Sequence, residues 1–145
     1  MELNNPKYSK QGIHIVSALF TIDKGKTKVL LIKRKNNPFN NMWALVGGAL
    51  YNDEEVSDGM LREIKEKTGI TNIHLELVDV FSKIDRAPNM RMIALAHIGI
   101  VDKDKVSIMK DTLKTSDCDW FSLEQIPELA YDHNEILVKA FDLLK

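Results

Sequence analysis

A single cysteine, Cys118, excludes an intrachain disulfide and a zinc site built from cysteines. So little cysteine suits a reducing compartment, and a cytoplasmic setting is the expectation. No run of about 18 apolar residues occurs, so no membrane-spanning helix is expected. The N-terminal MELNNPKYSK is polar and lacks the apolar centre of a secretory signal. Charge of one sign is lacking too. Twenty Lys and Arg stand against 21 Asp and Glu, for a net −1, which argues against a broad nucleic-acid surface and leaves room for a local basic pocket. There is no internal repeat and no low-complexity tract. What is present is 145 residues, 44% hydrophobic and 28% charged, enough for one soluble globular domain with a full core.

Residues 1–11 read as a flexible arm and residues 12–145 as a single domain. GIHIVSALFTI, from Gly12, is apolar and β-branched, as a buried strand is. After a turn at Asp23–Lys26, KVLLIKRK reads as the second arm of a hairpin. Residues 36–41 form an Asn- and Pro-containing loop, and Trp43–Val46 a short strand running into Gly47-Gly48. A helix follows, capped by Asn52 or Asp53, with Val56, Met60, Leu61 and Ile64 as its inward stripe and Gly69 as its stop. Gly59 inside that helix points to tight packing, on the sheet for instance. Residues 73–84 and 90–101 read as strands that can pair. Residues 102–116 show no clear pattern, Cys118–Phe121 a short strand, and Leu123–Ile126 a helical turn. A final amphipathic helix opens at Asp132 or His133. This order predicts an α/β fold: a mixed β-sheet sandwiched between helices.

The most informative stretch is Gly48–Ile70, GALYNDEEVSDGMLREIKEKTGI. It sets a glycine turn, then Glu54, the doublet Arg62-Glu63, Glu66 and Gly69 at fixed offsets. Glu63 and Glu66 are three apart, so one helix face can carry both. Adjacent carboxylates with a nearby carbonyl suit magnesium, which takes oxygen ligands and keeps water and phosphate in its shell. Arg62 can pair with Glu54 or Glu66. Alone, EIKEK is an ordinary solvated helix face; the added residues at these offsets reverse that reading.

The stretch resembles the Nudix box, and the likeness runs over about residues 12–145. DWFSLEQIPELAYDHNEILVKAFDLLK is similar to the ADP-ribose pyrophosphatase-like branch. The resemblance implies the Nudix fold and an Mg2+-dependent pyrophosphohydrolase, with Mn2+ as an alternative ion, acting on a nucleoside diphosphate derivative such as ADP-ribose. It implies the Gly47 carbonyl, Glu63 and Glu66 as metal ligands, Glu63 and Glu66 as the catalytic pair with Glu63 as candidate base, and Gly48, Glu54 and Arg62 as structural support. Positioning and charge neutralisation are what such phosphoryl chemistry requires. Dimers are frequent in that branch, so a homodimer is an expectation.

One position departs from the pattern. The box ends Glu-Glu-x-Gly-aliphatic, and Lys67 stands where the second glutamate belongs. A lysine removes a negative charge and adds a positive one beside the ion. It would weaken metal binding by repulsion, swing out to solvent on its long stem, or contact a substrate phosphate. The alternative function is therefore a catalytically degenerate, ligand-sensing Nudix domain of a transcriptional regulator. DRAPNMR (Asp85–Arg91) is similar to that group, in which DNA binding needs a further C-terminal domain.

Outside the box, Arg86 and Arg91 are candidates for binding phosphate or ribose. Phe39 is a candidate for stacking on a base, against simple packing over Trp43. His14 and His97 read as core residues, His133 as a cap or a weak proton-transfer candidate, and Cys118 as inert and half-buried. Asp117, Asp119 and Glu124 are distant acids that could supply a missing metal oxygen.

Overall fold

In the computed structural model of the chain, residues 2–144 are described; Met1 of the expected arm and Lys145 of the expected domain lie outside them. Among the described residues, seven strands join in one sheet: β1 (Gln11–Asp23), β2 (Lys26–Arg34), β3 (Trp43–Ala44), β4 (Val46–Ala49), β5 (Leu75–Phe81), β6 (Arg91–Ile100) and β7 (Thr115–Ser122). Two α-helices, α1 (Val56–Thr68) and α2 (His133–Leu144), complete the fold.

β1 organises the sheet. One edge pairs parallel with β6 over its whole apolar run, Gln11↔Arg91 to Phe20↔Ile100. The other edge is shared, with β4 opposite His14–Ser17 and β2 opposite Phe20–Asp23, both antiparallel. A strand buried on both faces should be apolar without alternation, and β1 is. Its Ile15 and Leu19 meet α1's Met60 and Ile64 in one cluster, with Leu30 and Ile32 of β2. Its Val16, Ala18 and Phe20 meet α2's Ile136, Leu137 and Ala140 in the other, with Val29 and Leu31. The sheet is thus mixed and held between helices, as expected from the sequence.

Several local expectations are corrected. Leu61 is not part of the α1 stripe; it is exposed, and the buried face is Met60, Glu63, Ile64 and Lys67. That is helical i, i+3, i+4, i+7 spacing with two charged residues in it, which a purely apolar pattern cannot reveal. The N-cap is Glu55, without a side-chain cap bond, rather than Asn52 or Asp53. Glu54 next to it is turned to Arg62 and the Tyr51 N–H instead. Gly59 faces the loop before the helix rather than the sheet: a Cβ there would lie 2.8 Å from both Glu54 Oε1 and Leu50 Cδ1. Gly69 ends α1 with φ 84° and donates to the Lys65 carbonyl, as the stop reading requires. β7 begins at Thr115, earlier than expected, because its polar residues pair with β2. Cys118 within it is fully buried, not half-buried.

Candidate functional site

Arg62 is the hub of the loop–helix junction. Its Nε and Nη2 donate to the two oxygens of Glu54 at 2.8 and 2.7 Å, a bidentate pair. Nη2 also donates to the Ala49 carbonyl at 3.1 Å, and Nη1 to Glu63 Oε1 at 2.7 Å and Glu66 Oε2 at 3.2 Å. The guanidinium lies 3.7 Å from the centroid of the Tyr51 ring. These contacts tie the loop 49–54 to α1. The charge-assisted bonds from Arg62 hold the Glu54 carboxyl down to about 2, and those to Glu54 push the guanidinium still further up.

Glu63 is pressed between this hub and the glycine bend. A Cβ on Gly48 would collide with its carboxyl group, so only glycine lets β4 pass that close. Arg62 holds Oε1. The other oxygen, Oε2, is buried, accepts no well-directed hydrogen bond, and lies 3.1 Å from Lys67 Nζ. Lys67 also donates a hydrogen bond to the Gly47 carbonyl. The ammonium is therefore turned inward, with 7% of the residue exposed, rather than out to solvent. Burial lowers its pKa, and the Glu63 carboxylate opposes that shift.

Two of the three oxygen donors assigned to a metal by resemblance, the Gly47 carbonyl and Glu63, thus converge on one point, where Lys67 Nζ donates to the first and is ion-paired to the second. The third, Glu66, is about half-exposed and paired with Arg62 instead. Among the described residues no group of three or more His, Cys, Asp or Glu side chains is arranged to hold a metal. Asp117 accepts from the Cys118 N–H, and Asp119 lies 3.5 Å from Lys110. With an ammonium held against both converging donors, this arrangement does not fit a divalent cation.

Beside Lys67 lies a cavity of about 340 Å³ lined by Tyr51, Glu66, Lys67, Thr112, Leu113 and Lys114. On the other side of Gly47 and Gly48 is a cleft of only about 30 Å³, bounded by His14, Arg34, Tyr131 and His133. Tyr131 fills it. Its ring meets Phe39 at 4.6 Å, and the guanidinium groups of Arg34 and Arg86 stand 5.4 and 5.8 Å from its centroid. Phe39 therefore packs on Tyr131 and not over Trp43, which meets Phe121 at 4.7 Å. A larger hollow of about 530 Å³, between β5, β6 and the end of α2, holds no residue of the box.

Arg86 is buried and engaged. It makes a bidentate pair with Asp132 at 3.0 and 2.7 Å, and its Nη1 lies 3.0 Å from His14 Nδ1. Arg91 donates to the Lys83 carbonyl at 3.1 Å, within the same β5–β6 connection. His133 Nδ1 accepts the Leu45 N–H at 3.1 Å, so its role is to hold the strand before the glycine bend. Desolvation brings His14 down to about 4 and His133 to about 3, and both are neutral near pH 7.

The sequence reading missed Arg34, Lys114 and Tyr131. Arg34 carried a weak signal, the end of an apolar strand next to an Asn-rich loop. Tyr131 sits in left-handed backbone, φ 54°, just before α2, and Lys114 comes from the stretch that showed no pattern.

The fold is thus a mixed sheet between helices, with a glycine bend, a Glu54–Arg62 clamp and a carboxylate beneath the bend. The chain belongs to the Nudix family: the NUDIX domain model matches residues 13–142. It is 36% identical over 129 residues to the "ADP-ribose pyrophosphatase" of Methanocaldococcus jannaschii, covering 86% of this chain and 72% of the relative. It is 30% identical to the "ADPR responsive transcriptional repressor NtrR" of Acinetobacter baylyi, and spans about half of that protein, 86% of this chain against 50%. Among solved structures, the NUDIX domain of Shewanella oneidensis NrtR complexed with ADP ribose superposes with a TM-score of 0.86 at 26% identity, covering 97% and 94% of the two chains.

Proposed function

We propose that this chain binds a nucleoside diphosphate of the ADP-ribose class and does not depend on metal-driven hydrolysis of it. The observation that carries this reading is the inward-turned Lys67, bonded to the Gly47 carbonyl and 3.1 Å from Glu63. A divalent ion cannot share those two oxygens with an ammonium, because at an effective dielectric of 20 two such charges about 4 Å apart repel by several kcal/mol. The similarity to the ADP ribose-bound domain of Shewanella NrtR and to the Acinetobacter repressor supports ligand sensing. DNA binding would belong to a further domain, and a homodimer is the proposed assembly, checked by sedimentation.

A second reading is a slow Mg2+- or Mn2+-dependent hydrolase with Glu63 as base. It is favoured by the retained Gly47, Glu54, Arg62 and Glu63, and by the likeness to the archaeal pyrophosphatase. Incubation of the chain with ADP-ribose and either metal separates the two. The binding reading expects a raised Tm without release of AMP; saturation at about 100 times Kd stabilises by about 2.7 kcal/mol. AMP release that Glu63→Gln abolishes would establish the hydrolase instead.

A further inference from the structure

Lys67 does more than obstruct a metal. An ammonium has three N–H donors. One donates to the Gly47 carbonyl, the ammonium is ion-paired to Glu63 Oε2 at 3.1 Å without a directed hydrogen bond, and among the described residues no other acceptor is bound to it. Lys67 also lines the 340 Å³ cavity beside the box, with Lys114 and the Thr112 region, and the charges of Lys114 and Arg34 both act on it. The one carboxylate in that cavity, Glu66, is offset by Arg62 at 3.2 Å. A volume of this size accommodates a small-molecule ligand.

Resting on the binding function proposed above, we infer that Lys67 is the cation of the diphosphate seat. Its ammonium is fixed by the glycine bend and the Glu63 ion pair, and donates an N–H not used by the Gly47 carbonyl to a phosphate oxygen. Lys114 supplies a second positive charge from the facing loop. A covalently tethered cation replaces a diffusible one, so the domain reads its ligand without a divalent metal. No covalent step is involved.

Calorimetric titration of ADP-ribose, and separately of inorganic pyrophosphate, into the full chain tests this, first in EDTA and then in excess Mg2+. For ADP-ribose the expected result is the same affinity in both, within about twofold, with Lys67→Gln weakening it about tenfold or more whether or not metal is present; for pyrophosphate, which Mg2+ itself chelates, the comparison of Lys67→Gln with the unaltered chain is made in EDTA. Lys67→Glu should bind only when Mg2+ or Mn2+ is added. Binding by the unaltered chain that appears only with metal overturns the tethered cation and leaves the binding function standing. Unchanged affinity in a folded Lys67→Gln overturns it equally. No heat from either ligand under either condition overturns both. The comparison of EDTA with Mg2+ uses the unaltered chain, so it decides the matter even where a variant fails to fold.

Discussion

Glu63 shows how one side chain's surroundings decide its chemistry. Its carboxylate is buried, gripped by Arg62 at 2.7 Å and Lys67 at 3.1 Å, and lies against Gly48. Gly48→Ala therefore cannot be absorbed by a loose neighbour: the added methyl must displace a carboxylate pinned from two sides. A loss of about 1–3 kcal/mol is expected from overpacking, read by urea denaturation. In a Glu63→Ala background the same change should cost less than half as much, because contacting residues are not additive. Equal costs in the two backgrounds would show that Gly48 is there for another reason. Cys118 is a simpler case. Burial pushes its thiol up to about 12, so it should resist thiol reagents in the native protein at neutral pH and react once urea unfolds the chain. Rapid labelling of the native state would contradict its place in the core.

At the scale of elements, the connections set the cleft. Arg86, between β5 and β6, reaches Asp132 at the start of α2 and His14 on β1. This strut ties three separate segments beneath Tyr131. Removing one partner strands a buried charge, so Asp132→Leu should cost about 3–5 kcal/mol, whereas the double change with Arg86→Met should recover most of it. Chemical denaturation of the single and double variants gives the coupling directly, and additive losses would mean the pair contributes little. This strut also marks what the sequence could and could not convey. β1 and β2 were legible because residues buried on both faces leave an uninterrupted apolar run. The box was legible because its offsets are fixed by one helix and one bend. The direction of Lys67 was not, since a lysine stem reaches inward or outward at equal sequence cost. Nor was the partner of Arg86, 46 residues away, or that of His133, 88 residues away. Periodicity reports which face a residue occupies and is silent about long-range polar pairs.

For the molecule as a whole, buried imidazoles couple folding to pH. His14 and His133 have folded pKa values of about 4 and about 3, against about 6.5 when unfolded, and desolvation lowers His97 as well. Because the folded values are depressed, the unfolded chain binds more protons below pH 6.5. Their contribution is complete above that pH and is lost as pH falls toward the folded values. Few carboxylates titrate between pH 7 and 5, so that window reports chiefly on these rings; His14 and His133 together should lower stability there by about 2–4 kcal/mol. His133 carries the more specific consequence. Its Nδ1 accepts the Leu45 N–H, so the neutral ring holds its proton on Nε2, and protonation at Nδ1 breaks the bond that fixes the strand leading to Gly47. Urea denaturation at the two pH values should show the loss, and His133→Gln, which keeps an acceptor without a titrating proton, should reduce the slope by about a third to a half. In NMR the His133 ring resonances should stay unchanged from pH 8 to 5 in the folded protein. A ring that titrates near 6.5, or stability equal at pH 7 and 5, would mean that the histidine is not locked against the glycine bend.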